Sequence, residues 1–365
     1  MENNYLGIYH GLKVLVTGHT GFKGTWLTVW LKELGAIVIG YSLDPPTIPN
    51  LFSSCSLQNE IRHIYGDVRD FENLAKVIEE EKPAIIFHLA AQSLVLDSYK
   101  DPLTTFQTNS QGTVNVLEAS LKCPSVKAMI MVTTDKVYEN IEQLWGYREI
   151  DRLGGDDPYS ASKAMAEIAI QSYRKSFLTE TRKLGIASAR AGNVIGGGDF
   201  SENRMIPDAM RALMSNETIL VRNPRSIRPW MHVLEPLSGY LLLGYHLLNE
   251  PKTFSQAWNF APQESCGISC KELIEKTIEL WGEGEWIEEQ NQTTPHEMKL
   301  LRLNGEKAAN LLKWTSCYSW EKALETTVNW YKQFYENRDM YKVCVDQIMS
   351  YSRVAKNQIL EKLFV

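Results

Sequence analysis

Apolar positions in the first half of the chain switch between two periods. "KVLVTG" (13–18) is a short β-rich run closed by a glycine, "TWLTVWLKELG" (25–35) carries apolar residues at helical spacing up to a glycine stop, and "AIVIGYSL" (36–43) returns to strand. The same alternation continues through "FENLAKVIEEEKP" as helix, "AIIFHLAA" as strand, "NSQGTVNVLEASLK" as helix and "KAMIMVTT" as strand. Strands separated by helices predict an α/β protein with a doubly wound parallel sheet. After about residue 190 the alternation weakens and loops rich in Gly, Asn, Pro and Arg take over, which predicts a smaller C-terminal substrate-binding domain. The expected division is 1–190, 191–335 with possible segments returning to the first domain, and 336–365 as a helical appendage.

The first strand-to-helix turn, "TGHTGFKG", spaces Gly18, Gly21 and Gly24 as G-x-x-G-x-x-G. Glycines there permit a tight turn and a close backbone approach to a pyrophosphate, which the helix N-terminus also favours, so a Rossmann-like dinucleotide site is expected. No Lys-Ser or Lys-Thr follows the last glycine, which excludes a P-loop. At the end of the second strand Ser42 stands about where an acidic residue normally holds the adenosine ribose, and Asp44 follows two positions later. No Arg or Lys lies between 37 and 50 to receive a 2′-phosphate, which favours NAD over NADP. Asp67, in "YGDVRD", is either a contact for the adenine end or a helix N-cap.

Composition narrows the classes. The 365 residues are 44% hydrophobic and 22% charged with a net charge of −6, and no basic block stands out to track a nucleic acid. Neither a signal peptide nor an apolar run of membrane-spanning length is visible, so a cytoplasmic location is expected. Six cysteines are scattered, and the pair in "CGISC" has no second pair or histidine cluster nearby, so no metal site is expected.

Chemistry concentrates in two places. "DDPYSASK" offers Asp157 as a cap, Pro158 in the first turn, and then Tyr159 and Lys163 one turn apart on one face. A nearby ammonium lowers a phenol's pKa toward neutrality and makes it a usable general base. "TTDKVY" (133–138) places Thr134, Asp135 and Lys136 side by side where a buried strand ends. His88, at another strand end, reads as a satisfied, semi-buried histidine.

"VTGHTGFKG", "HLAAQS", "NSQGT", "VTTDKVY" and "YSASK" occur in the order seen in extended short-chain dehydrogenase/reductases, and the chain resembles their nucleotide-sugar 4,6-dehydratases over nearly its whole length. The resemblance implies NAD as cofactor, with Thr20, Phe22, Lys23, Val68, Leu89, Ala90, Ala91 and Thr108 joining the residues above, Tyr159 and Lys163 included, in its site. Tyr159 would deprotonate the sugar 4-hydroxyl, helped by Thr134, while C4 is oxidised by NAD. Asp135 would protonate the departing C6 hydroxyl, and Lys136 would either remove the C5 proton as a neutral amine or stabilise the enolate. Many relatives carry a glutamate at that position. The implied substrate is CDP-glucose, met by Gln92, Ser93, Asn193, Arg204, Arg222, Arg228 and, with Glu297 beside it, His296; Arg225 reads equally as a solvated loop residue. Helices around 103–122 and 158–178 would pair subunits into a homodimer or homotetramer. A nucleotide-sugar 4-epimerase of the same fold and a noncatalytic NAD-binding regulator remain the alternatives.

Overall fold

The structure, a computed structural model, describes residues 5–178, 183–262, 267–289 and 301–363. Six strands, β1 (Lys13–Thr17), β2 (Ile37–Ser42), β3 (Arg62–Tyr65), β4 (Ile85–His88), β5 (Ala128–Val132) and β6 (Gly185–Ala191), form a parallel sheet with the edge strand Ala257–Phe260. The order is edge strand, β6, β5, β4, β1, β2, β3. The chain reverses direction across the sheet between β1 and β4, and in such sheets a ligand crevice opens beyond the strand ends at that point.

Side chains alternate between the two faces, as a period of two requires. Leu15, Ile39, Ile86, Met129 and Ile186 share one core with Leu74, Ile78, Val116 and Leu117. Val14, Val16, Phe87, Ile130 and Ala187 share the other with Trp26, Leu27, Trp30, Leu237 and Leu241. Both faces are therefore covered by helices, which is why these strands read as continuous apolar runs.

β3 is the strand the periodicity missed: "RHIY" is an edge strand whose side chains are only partly buried, and it carries no apolar run. The expected C-terminal helix spans Met340–Leu363. Its Cys344, Ile348 and Tyr351 are buried in the second core, and Tyr351 meets Trp30 edge to face at 5.8 Å. None of the described helices is long and apolar enough to cross a membrane.

Candidate active site

The glycine turn lies at the ligand end of β1. Gly18 has φ +74°, and a Cβ on it would come within 2.6 Å of the Ala90 backbone nitrogen. A Cβ on Gly24 would meet the Gly18 carbonyl oxygen at 2.1 Å. Only glycine lets the turn, the end of β4 and the first helix (Phe22–Glu33) approach this closely. Leu89 N donates to Thr17 O at 3.1 Å and Ala90 N to Thr17 Oγ1 at 3.3 Å, which fastens "LAA" (89–91), with Ala91, to the same turn. Gly21, the N-cap of that helix, supplies no side-chain cap, so its first-turn N–H groups remain available to an anion. This cradle fits the pyrophosphate of a dinucleotide.

At the end of β2 the Ser42 and Thr20 hydroxyls hydrogen-bond at 2.8 Å, and Thr20 Oγ1 also donates to Leu43 O. Two hydroxyls thus stand where a carboxylate is usual, while Asp44 is exposed beyond the bend. Asp67 is not the helix cap: Asp70 accepts from Asn73 N in that role. Burial works upward on the Asp67 carboxyl, but the Arg69 guanidinium, 2.6 Å away, holds it below its ordinary value. Val68 is buried beside Gly112, and its carbonyl accepts from Asn115. Thr108 is half-buried on a π-helical turn, Gln107–Gln111.

The second cluster grows from β5. Thr134 caps a single 3-10 turn, Asp135–Val137, and its hydroxyl donates to Asp135 Oδ1 at 2.9 Å. Burial raises the Asp135 carboxyl above its usual range, against the pull of Lys136, Thr134, Lys23 and Arg228. A rise in this direction favours the protonated carboxyl, the form that can act as a general acid. Lys136 is half-buried next to it.

Asp157 accepts from Ser160 N, and Pro158 opens the helix Pro158–Phe177, as the local sequence predicts. That helix brings Tyr159 against Thr134 and sends Lys163 beneath the strand, where its Nζ donates to Val132 O at 3.3 Å. The expected lowering of the phenol pKa is not what the structure gives. Burial pushes Tyr159 up to about 12, with Asp135 and Asp157 adding to the rise and Thr134 and Arg204 opposing it. Lys163 is itself driven down to about 8, by burial and by the charge of Lys23. The physical reason is that desolvation penalises phenolate and ammonium together, which spacing along a helix does not reveal. Lys23 likewise falls to about 8, through burial and Arg204, although Asp135 and Asp199 favour its charge. It therefore faces the reaction centre as well as the glycine turn.

Gln92 and Ser93 approach from the end of β4. Gln92 N donates to Asn109 Oδ1 at 2.9 Å, and Asn109 Nδ2 donates to Gln92 O and to Ser162 Oγ. Asn109 thereby ties this loop to the Tyr159 helix, a role that reading the sequence missed although it lies in "NSQGT". Ser93 Oγ accepts from Arg204 Nη2 at 3.2 Å, and Arg204 Nη1 pairs with Asp199 at 2.8 Å. Arg228 is buried and its charge reaches Asp135. Asn193 is half-buried just beyond β6, its carbonyl accepting from Met231 N. Arg222 donates to Asn203 O at 3.0 Å, and Arg225 is exposed. His296 and Glu297 lie outside the described residues. His88 is satisfied, as expected: Thr17 and Thr113 hydroxyls meet its two ring nitrogens at 2.8 and 3.1 Å, and burial lowers its pKa to about 3. Among the described residues no group of His, Cys, Asp or Glu could hold a metal.

Two further residues escaped the sequence. Glu167 and Arg190 form a buried ion pair behind β5 at 2.8 Å.

Residues 15–327 match the family model of GDP-mannose 4,6 dehydratase. The chain is 44% identical to the CDP-glucose 4,6-dehydratase of Salmonella typhimurium, covering 94% of this chain and 97% of that one. It is 25% identical to a UDP-glucose 4-epimerase of Lacticaseibacillus casei over 88% of this chain and 97% of the other. Among solved structures, the dTDP-glucose 4,6-dehydratase of Bacillus anthracis in complex with NAD superimposes with a TM-score of 0.72 at 24% identity, covering 89% and 98% of the two chains.

Proposed function

The chain belongs to the GDP-mannose 4,6 dehydratase family, and on that premise we propose that it is an NAD-dependent hydro-lyase converting CDP-D-glucose to CDP-4-dehydro-6-deoxy-D-glucose. The observation that carries this reading is the turn after β5, where a buried carboxyl with a raised pKa, Asp135, lies within electrostatic reach of the Tyr159 phenol and is followed by an amine, Lys136. A plain dehydrogenase has no use for that second acid and base.

The glycine cradle (Gly18, Gly21, Gly24, with Thr20, Phe22 and Lys23), Ser42, Asp67, Val68, residues 89–91 and Thr108 would hold NAD. Its chemistry, when bound, is to store the hydrogen and electron pair of C4 and return them to C6. Tyr159 Oη would take the proton of the sugar 4-hydroxyl once the positive charges of Lys163 and of bound NAD have drawn its pKa down from about 12, and the Thr134 hydroxyl would orient that group. With C4 oxidised, the C5 proton is acidic; the Lys136 amine removes it. Asp135 gives its proton to the C6 hydroxyl, which leaves as water; Lys136 hands its proton, or one exchanged with solvent, back to C5, and the proton that Tyr159 took from the 4-hydroxyl replaces the one Asp135 gave, so that all three groups return to their starting states. Arg228, Arg204, Asn193 and Arg222 would meet the nucleotide diphosphate, for which guanidinium forks are suited.

The same reading retains the division at residues 190 and 335, with Ala257–Phe260 as a segment returning to the first sheet. It places the protein in the cytoplasm, with its product serving deoxysugar supply for bacterial surface polysaccharide such as O-antigen. It also makes the protein a homodimer or homotetramer; Leu103, Met165 and Ile168, each at least half exposed, support a subunit contact through the helices that carry them.

The test is mass spectrometry after incubation with NAD in heavy water, using CDP-, UDP- and dTDP-glucose in parallel. Loss of one water and gain of solvent deuterium from CDP-glucose alone is the expected result. Unchanged mass in all three, with NAD demonstrably bound, would turn the assignment toward a 4-epimerase. Lys136→Met should keep C4 oxidation while slowing water loss by about 10²–10⁴-fold; an unchanged product rate would remove Lys136 from the mechanism.

A further inference from the structure

Glu167 lies one turn beyond Lys163 on the face of the helix that carries Tyr159, so 159, 163 and 167 form one row. All its acceptor capacity is used internally. Oε1 accepts from Thr133 Oγ1 at 2.6 Å and from Arg190 Nε at 2.8 Å. Oε2 accepts from Ser188 Oγ and Arg190 Nη2, each at 2.8 Å. Arg190 then reaches forward: its Nη1 donates to Tyr138 Oη at 2.7 Å, and that hydroxyl donates to Asn259 Oδ1 at 2.8 Å. The guanidinium also lies 5.0 Å from the centre of the Tyr138 ring.

Two of the three hydroxyls that meet this ion pair, those of Thr133 and Tyr138, bracket the reactive turn. Thr133 immediately precedes Thr134, and Tyr138 follows Lys136 by two residues. Such a pair is poorly explained by stability, because a buried ion pair is commonly no better than well-packed apolar side chains of equal volume. What it provides is a fixed distance between three elements: β5 with its turn, β6, and the Tyr159 helix.

We propose that the Glu167–Arg190 pair, gripping the 134–136 turn through Thr133 and Tyr138, is the positioning device that sets the acid and base of the turn against the Tyr159 phenol on a single bound sugar. This rests on the dehydratase reading. Oxidation at C4 uses the helix, whereas elimination across C5 and C6 uses the turn, and a sugar held for the first must already be in place for the second. Glu167 and Arg190 make no hydrogen bond to the turn's three reactive side chains; they act through residues 133 and 138.

The test compares Thr133→Val and Tyr138→Phe with Ser188→Ala. Each removes hydroxyl contacts to the pair, but Ser188 belongs to β6 and not to the turn. Rapid-quench mass spectrometry follows the oxidised, still hydroxylated sugar and the dehydrated product separately, with thermal unfolding measured alongside. The two turn variants should accumulate the oxidised sugar, with elimination slowed about tenfold or more and KM little changed, whereas Ser188→Ala should keep the wild-type partition. Equal slowing of both steps in all three variants, or a partition unchanged in the turn variants, would overturn the proposal. Failure of the wild-type protein to lose water from any sugar nucleotide would instead refute the dehydratase reading, and the positioning proposal with it.

Discussion

Glu167 and Glu235 are equally removed from water and titrate in opposite directions. Both are essentially fully buried, and both accept several hydrogen bonds. Glu235 takes Cys317 N at 2.8 Å and Tyr318 N at 2.7 Å on one oxygen, and the Tyr351 hydroxyl at 2.7 Å on the other. Burial lifts it to about 7 in spite of those three donors. Burial pushes Glu167 upward too, yet the Arg190 guanidinium, with the Thr133 and Ser188 hydroxyls, holds it below the ordinary carboxylate value. Neutral donors soften the cost of burying a charge; a fixed cation in contact cancels it. The two glutamates therefore serve different ends. Glu167 is a permanently charged anchor beneath the reaction centre, and Glu235 is a protonatable clasp joining the helix Leu234–Asn249 to the C-terminal helix.

The sharpest way to break this comparison is Arg190→Met. It should leave Glu167 buried without its cation, costing about 3–5 kcal/mol in urea unfolding, and Glu167 should then titrate upward as Glu235 does. A loss well under 1 kcal/mol would mean that the cation is not what keeps Glu167 charged.

Next in size is the pH dependence of Glu235. Its folded pKa of about 7 exceeds the 4.5 of an ordinary glutamate, so the folded state binds the proton more tightly. Its contribution to stability is complete below about 4.5, declines as pH rises toward 7 and is gone above it; at about 1.4 kcal/mol per pKa unit this amounts to about 3 kcal/mol. The difference in unfolding free energy between wild type and Glu235→Gln, measured from pH 5 to pH 8, should fall with pH. A rising difference would place Glu235 with Glu167 instead.

The smallest effect is expected from Tyr351→Phe, which removes one donor from the clasp. It should cost about 1–2 kcal/mol and move the Glu235 midpoint higher, since the lost bond favoured the carboxylate. No movement of the midpoint in the pH series would show that the backbone donors alone set it.

Much of the sheet was legible because strands buried on both faces write themselves as apolar runs, and "KVLVT", "AIIFH" and "AMIMV" all form central strands. "RHIY" was not, because an edge strand needs no such run. The start of the Tyr159 helix was legible for a local reason: Asp157 and Pro158 act within one turn of themselves. The glycine turn was legible because three glycines at fixed spacing report steric need. The hydroxyl pair Thr20 and Ser42 was half legible, since the missing acid was visible and its neighbour across the turn was not.

What the chain determines by itself is therefore whatever acts over a few residues: strand and helix periods, a cap, a glycine turn, and the adjacency of Thr134, Asp135 and Lys136. Only the tertiary structure decided that Tyr159 is raised rather than lowered, that burial lifts the Asp135 carboxyl, and that Glu167 meets Arg190 and two ends of one turn. Those outcomes depend on how much water the fold removes and which charges it leaves behind, and both are set by strands and helices distant in sequence.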